Sequence, residues 1–252
     1  RKVESEFSLD HRAQPERRLY TVTAWIEGAN LHIETPTEWV ELVRSTVEKV
    51  TGYPKRNILI HTIPYTSKND EFLIEPASLA AIAATAAIRT GLPAEIREEA
   101  MDAHPAINVK RETWLDEEGK PVSETVHMTV DQGAYPVLPE EYQRQAMTGL
   151  LPPYPLKSFH GTVAITSSER YPSAFSVSFG YSEALAATEY HISRLAEKTE
   201  LTPYLYRDSI EREKRKFTDY LPSFDLADQK RTAEAVAIKS SYNRKWAANT
   251  FQ

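Results

Sequence analysis

The strongest constraint on the fold is an order of secondary-structure elements that the sequence predicts twice. The first copy contains, in order, strands at residues 20–27 and 31–35, a helix capped by Thr37 and ended at Gly52, a strand at residues 57–63, and an alanine-rich helix at residues 78–90. The strands are rich in β-branched residues, the helices carry apolar stripes, and turn residues separate the segments. The first half is therefore predicted to have the order β-β-α-β-α.

The second half repeats this order. It contains strands at residues 107–115 and 122–130, a helix at 140–148, a strand at 158–166 and a helix at 182–198, and further helices are predicted at 204–217 and 226–248. We therefore predict an α+β fold of two similar β-β-α-β-α lobes, each a two-layer α/β sandwich with a mixed sheet, followed by C-terminal helices. The predicted domains are residues 1–100, residues 101–210 and a helical extension at residues 211–252.

Composition excludes several classes of protein. The 252 residues include 30 Lys and Arg against 36 Asp and Glu, a net charge of −6 that argues against nucleic acid as a partner. No apolar run approaches the roughly 20 residues that span a bilayer, so no membrane partner is expected. Cysteine is absent, which excludes thiolate ligands and a cysteine nucleophile in this sequence. Its absence fits a reducing compartment, so a cytoplasmic location is expected.

Glycine spacing and single side chains give no mechanism. The eight glycines are at least 12 residues apart, which excludes G-x-G-x-x-G, G-x-x-x-x-G-K and G-x-S-x-G. Of the seven histidines, His32, His61 and His127 lie within predicted strands, where hydrogen-bonded structural roles are expected. Asp131 is the most site-like carboxylate, and turn formation is its expected role. No catalytic residue and no metal ligand is predicted.

Several short segments form an ordered series between residues 7 and 210. They are His11-Arg12-Ala13-Gln14-Pro15-Glu16, the stretch from Leu31 to Glu38, Thr51-Gly52-Tyr53-Pro54, Thr90-Gly91-Leu92-Pro93, His104-Pro105, Asp131-Gln132-Gly133-Ala134-Tyr135, Phe179-Gly180, Glu189-Tyr190-His191-Ile192, Leu195-Ala196, and Pro203 with Arg207. In this order they resemble the molybdenum-cofactor-binding region of the xanthine dehydrogenase/aldehyde oxidase family. The resemblance implies α+β lobes of a larger molybdenum hydroxylase, with molybdopterin as the cofactor.

The sequence departs from this family at positions where the family contacts its cofactor. The family's G-G-x-F-G-G-K loop corresponds to residues 66–72, which contain no glycine. The glutamine of the S/T-Q segment is Glu38, which only accepts hydrogen bonds, and the arginine of R-G-F-G is Val177, which carries no charge. By family position, the residues expected to contact the cofactor are Glu38, Asn69, Asp70, Val177 and Phe179.

The resemblance leaves more than one function open. The chain is either part of a functional hydroxylase with an atypical cofactor loop, or a degenerate lobe used for assembly or protein binding. In both cases it is not expected to be catalytic by itself, because the family's base glutamate lies outside the matching stretch, and it is open whether any cofactor binds. A third interpretation is an unrelated α+β module that binds a small ligand. The expected partners are the remaining domains or subunits of a molybdenum hydroxylase-like complex, or a second copy of the chain.

Overall fold

The computed structural model describes residues 1–63, 75–173, 179–210 and 226–247. Its strands are β1 (Lys2–Leu9), β2 (Arg12–Glu27), β3 (Asn30–Thr35), β4 (Ile58–Thr62), β5 (Ala94–His104), β6 (Ala106–Leu115), β7 (Pro121–Asp131) and β8 (Ser158–Thr166). Its helices are α1 (Val40–Thr51), α2 (Glu75–Thr90), α3 (Pro139–Leu150), α4 (Tyr181–Lys198), α5 (Pro203–Ser209), α6 (Leu226–Ser240) and α7 (Tyr242–Ala247). Within these ranges, none of the helices combines the length and the apolar character needed to cross a bilayer.

The strands form two four-stranded mixed sheets of the same design. The first has the order β4-β3-β2-β5 and the second the order β8-β7-β6-β1. In each sheet the outer pair is parallel, β3 with β4 and β7 with β8, and the other pairs are antiparallel. The predicted α+β class with two similar lobes is confirmed.

The N-terminal strand does not belong to the sheet nearest to it in sequence. β1 pairs with β6 of the second sheet, with Val3 opposite Thr113 and Leu9 opposite Ile107. β5 takes the corresponding edge position in the first sheet. The domain division at residue 100 stays a prediction, but the hydrogen bonds of residues 2–9 are made with the second lobe.

Three details of the predicted helices are wrong. The helix predicted for residues 226–248 is interrupted at Ser241, which has a φ of +55°, so α6 ends at Ser240 and α7 begins at Tyr242. Thr37 does not cap α1, because its Oγ1 accepts a hydrogen bond from the Trp39 N–H at 3.0 Å in a turn before the helix, and α1 begins at Val40. The helix predicted for residues 204–217 ends at Ser209, where Ile210 adopts an extended conformation. Residues 211–225 lie outside the described ranges.

Each helical layer buries an apolar face against its sheet. In the first lobe, α2 packs against α1 and β2, and its inner side consists almost entirely of alanine, with Ala80, Ala83 and Ala84 fully buried. Alanine lets the helix approach its neighbours closely at no cost in side-chain entropy. In the second lobe, α3 and α4 cover an inner sheet face formed by alternate residues such as Val126, Met128 and Val130.

Candidate functional site between the carboxyl ends of the parallel strands

The parallel strands of both sheets end toward the junction between the lobes. Antiparallel pairing places Arg12 opposite His104 and Ala106 opposite Asp131, so the turn at Pro105 is at this junction. β3 and β4 run toward it in the first sheet, as do β7 and β8 in the second. The two carboxyl edges therefore face a common space alongside the β2–β5 ribbon, which we call the crevice. In open α/β sheets, ligands bind outside the carboxyl ends of the strands.

The loop after β8 connects the two lobes across the crevice. The His11 ring Nε2 lies 2.9 Å from the Tyr171 carbonyl oxygen. Burial raises the pKa of the Tyr171 phenol, and the negative charges of Glu75 and Glu98 raise it further. Glu75 begins α2 and Glu98 lies on β5, so this loop reaches the first lobe. The charged groups that act on the Tyr171 phenol are both carboxylates.

The loop after β7 is held by a compact turn. Asp131 Oδ1 accepts a hydrogen bond from the Gly133 N–H at 3.0 Å, and Arg170 Nη1 lies 4.0 Å from Asp131 Oδ2. Gly133 has a φ of +84°, and a Cβ there would lie 2.3 Å from the Tyr171 carbonyl oxygen. Only glycine fits this approach. Asp131 makes the turn that its sequence position predicts.

Two buried polar side chains lie next to this turn. Gln132 is fully buried and Ser173 is 1% exposed, and the Ser173 N–H donates to the Gln132 carbonyl oxygen at 2.9 Å. Within the described ranges, neither the Gln132 amide nor the Ser173 hydroxyl has a hydrogen-bond partner. Such groups are unfavourable when buried without a partner.

The residues predicted from family position are only partly described. Glu38 is exposed in the connection between β3 and α1. Phe179 has a φ of +53° and packs its ring against Tyr142 with the centroids 5.6 Å apart, so its side chain is part of the second core. Asn69, Asp70 and Val177 lie outside the described residues. The contacts proposed for all five positions stay predictions.

The first helix of each lobe begins at the crevice with an apolar residue. Trp39 is the N-cap of α1 and Leu138 that of α3, and neither makes a side-chain capping hydrogen bond. Each residue is 42% exposed. N-cap positions usually hold Ser, Thr, Asp or Asn, whose oxygen accepts from a free N–H group. Two exposed apolar caps at equivalent places are better suited to contact with another surface than to capping.

A second polar cluster is buried away from the crevice, between the second sheet and α4. Arg111 Nε lies 3.5 Å from Glu124 Oε1, and both side chains are at most 1% exposed. Glu124 Oε2 accepts hydrogen bonds from the Thr113 hydroxyl at 2.7 Å and from the Tyr154 hydroxyl at 2.6 Å. This network has no access to solvent, and we assign it a structural role.

His191 extends this network to the N-terminal strand. Its Nε2 is 2.7 Å from Thr113 Oγ1, and its Nδ1 is 2.7 Å from Ser5 Oγ. Since the single hydroxyl hydrogen of Thr113 goes to Glu124, the imidazole donates from Nε2 and accepts from Ser5 at Nδ1. Burial, helped by the positive charge of Arg111, lowers the pKa of His191 to about 3, so this histidine is neutral.

The sequence analysis missed this network, although the sequence contains a signal for it. Arg111 and Thr113 occupy the buried phase of β6, and Glu124 occupies that of β7. Thr113 and Glu124 are direct cross-strand neighbours. Polar residues in the apolar phase of two adjacent strands predict a buried hydrogen-bond network. The Glu189 and Arg207 of the quoted motif segments are also structural, since they form an ion pair between α4 and α5.

Comparison with solved structures confirms the architecture. The chain superposes on quinoline 2-oxidoreductase from Pseudomonas putida 86 with a TM-score of 0.79 and 16% identity, covering 99% of this chain and 34% of that one. CO dehydrogenase from Oligotropha carboxidovorans gives a TM-score of 0.81 at 15% identity, and the match covers 99% of this chain and 33% of that one. Aldehyde oxidoreductase from Desulfovibrio gigas gives a TM-score of 0.73 at 18% identity, and the match covers 96% of this chain and 28% of that one. The chain thus spans about a third of the length of these enzymes, and at these identities the likeness shows the fold alone.

Sequence comparison identifies the family. No curated protein matches the chain. The molybdopterin cofactor-binding domain family matches residues 16–209, which include both sheets except β1 and the first four residues of β2. This match excludes the interpretation as an unrelated α+β module. The chain belongs to the molybdopterin cofactor-binding domain family.

Proposed function

We propose that this chain is the molybdopterin-binding-domain-like part of a larger molybdenum hydroxylase-like assembly in the cytoplasm, and that it is not catalytic by itself. The observation that carries the proposal is the chemistry of the crevice. The described groups there include the carboxylates of Glu38, Glu75 and Glu98, and the Arg170 cation beside them already faces Asp131, whereas the family's cofactor is an anionic pterin. By family position, the glycine-free segment at residues 66–72 would bring two more acidic residues to the cofactor.

The described residues of the crevice do not fit an anionic cofactor. Glu38 is an exposed carboxylate, and Glu75 and Glu98 lie close enough to influence Tyr171. Each carboxylate near a wet surface opposes a phosphate by on the order of 1 kcal/mol, and by more when it is buried. The Arg170 guanidinium already faces a carboxylate of this turn, that of Asp131. We therefore derive no reaction step through the cofactor.

The expected partner is the rest of a hydroxylase-like protein, as further domains or as separate subunits. The solved enzymes that share this fold are about three times as long as this chain. The exposed apolar side chains at the crevice, including Trp39, Tyr135, Leu138 and Tyr171, would be covered by such a partner. Exposed apolar surface on a protein commonly marks a contact with another protein.

Reconstitution with the cofactor tests the proposal. The purified chain is incubated with molybdenum cofactor, and molybdenum per chain is measured together with turnover of hypoxanthine and benzaldehyde. We expect neither binding nor turnover. A variant with Glu38→Gln, Asp70→Gly and Val177→Arg should take up more cofactor than the wild type, whereas Glu118→Gln in the β6–β7 turn should not. Near-stoichiometric molybdenum in the wild-type chain would refute the binding claim, and steady turnover the catalytic one.

A degenerate lobe used for assembly is the second candidate function. It is favoured by the substitutions at separate family positions, Glu38 and Val177, together with the glycine-free loop, while each lobe has a buried apolar core. Metal analysis of the complex isolated from its native source separates the candidates. Molybdenum in a complex that contains this chain favours a working hydroxylase, and a metal-free complex favours the assembly role.

A further inference from the structure

A pair of histidines on the outer face of the first sheet has no part in the proposed function. His32 lies on β3 and His61 on the edge strand β4. His32 Nδ1 and His61 Nε2 are 2.9 Å apart, and the two ring planes are parallel to within 2°, with their centroids 5.2 Å apart. His61 is exposed and His32 is half-buried, so solvent reaches the pair. From the sequence, each histidine is expected to have a separate structural role, but in the sheet the two are neighbours.

Two neighbouring side chains orient these rings. The indole of Trp25 lies within 13° of both imidazole planes, with its centroid 5.1 Å from that of His32 and 5.7 Å from that of His61. Glu27 Oε2 lies 3.8 Å from His32 Nε2. A carboxylate at this nitrogen favours the tautomer that carries its hydrogen on Nε2. The Nδ1 lone pair of His32 is then directed at His61, whose Nε2–H donates to it.

We propose that His32 and His61 together bind one divalent late first-row transition-metal ion, with Cu²⁺ bound most tightly. Two metal–nitrogen bonds of about 2.0–2.1 Å at a right angle place their nitrogens about 2.9 Å apart, which is the separation of this pair. Rotation about the side-chain bonds turns both lone pairs toward one ion. The only proton movement within the pair is a tautomer change of His61, from Nε2 to Nδ1.

The geometry makes this an open site with exchangeable metal. Within the described ranges, no three His, Asp or Glu side chains are grouped to hold an ion, so water completes the coordination. The Glu27 carboxylate behind His32 is the outer partner that metal-binding histidines usually have. Cu²⁺ leads the divalent series for nitrogen ligands, and Ni²⁺ and Zn²⁺ follow. Because the ion links β4 to β3, it should also raise the melting temperature of the chain.

Copper titration of the full chain, followed by calorimetry and by tryptophan fluorescence, tests the proposal. Cu²⁺ should bind with one ion per chain at this site and quench Trp25, because the ion would lie beside the indole. His61→Gln should weaken binding at least tenfold. Trp25→Phe should keep the binding and lose the quenching. The matched control is His160→Gln, which removes an exposed histidine from β8, the corresponding edge strand of the second sheet, and should change neither signal.

Three results would overturn the proposal. The first is that the wild type and His61→Gln bind Cu²⁺ with equal affinity. The second is that His160→Gln loses as much Cu²⁺ affinity as His61→Gln, and the third is that Cu²⁺ binding does not saturate. Unfolding curves without metal verify that each variant is folded, and His32→Gln provides a second variant if His61→Gln is not. Electron paramagnetic resonance gives an independent measurement, since Cu²⁺ should show two imidazole nitrogens in the wild type and one in either single variant.

Discussion

At the scale of single residues, His191 links the stability of the second lobe to pH. It is fully buried, accepts a hydrogen bond from Ser5 on β1 and donates one to Thr113 on β6. Burial lowers its pKa from an ordinary 6.5 to about 3. The folded chain therefore keeps this imidazole neutral at pH values where the unfolded chain protonates it.

We predict that this residue destabilises the protein in mild acid. Between pH 6.5 and pH 3 the unfolded chain binds a proton that the folded chain does not, so the free energy of unfolding falls by about 1.4 kcal/mol for each pH unit of decrease. Well above pH 6.5 the histidine is neutral in both the folded and the unfolded chain, so it no longer lowers the free energy of unfolding. Urea unfolding at pH 6.5 and pH 5 should show that the wild type loses about 1.6 kcal/mol more than His191→Gln, because half of the unfolded chains are already protonated at pH 6.5. His160→Gln should behave as the wild type, and equal losses in the wild type and His191→Gln would contradict the assignment.

Single residues also show where prediction from sequence succeeds and fails. The turn role of Asp131 follows from its place before a glycine, because that interaction is local. The pairing of Thr113 with Glu124 could be predicted from strand alternation, once the hairpin of β6 and β7 is recognised. The contact between His11 and Tyr171 could not, because it joins two loops whose meeting depends on the placement of both lobes.

At the scale of elements, α2 depends on small side chains. It packs against both α1 and β2, and Ala84 is fully buried at this contact. We predict that Ala84→Leu lowers the free energy of unfolding by about 1–3 kcal/mol, because the added atoms force the helix away from its neighbours. Ser78→Leu, on the exposed side of the same helix, should change it by less than about 0.5 kcal/mol. Similar losses in both variants, measured by urea unfolding, would show that the close approach is not the cause.

In both lobes, a side chain from the first helix donates a hydrogen bond to the backbone of the uncharged edge strand. β4 and β8 contain no Asp, Glu, Lys or Arg, and such edges are prone to pair with other chains. Arg44 of α1 donates to the Ile58 carbonyl oxygen at 3.3 Å, and Gln143 of α3 donates to that of Val163 at 3.0 Å. Each donor is the fifth residue of its helix. The repeat therefore extends from the order of elements to individual side-chain contacts.

At the scale of the whole molecule, the repeated order of elements was predictable and the exchange of edge strands was not. Each strand–helix segment carries its own periodicity, which is local information. β1 pairs with β6, with Leu9 opposite Ile107, and no local pattern indicates a partner so distant in sequence. β5 is rich in charged residues such as Glu98 and Glu99, so its sequence lacks the alternation of apolar and polar residues that predicts a strand. Both strands lie at sheet edges, where charged side chains are favoured.

The whole molecule also presents an apolar surface at the crevice, and we predict that the isolated chain self-associates through it. Trp39 and Leu138 are large, exposed and placed at equivalent helix starts, so contact with a second copy would remove both from water. Static light scattering of the wild type should give a mass above that of the monomer, rising with concentration. The double variant Trp39→Ser, Leu138→Ser should lower this mass toward the monomer. Leu92→Ser is the matched control, because Leu92 is 66% exposed beyond the other end of α2, and should leave the mass unchanged. A strictly monomeric wild type, or equal masses for the double variant and the wild type, would show that the crevice is not an associating surface.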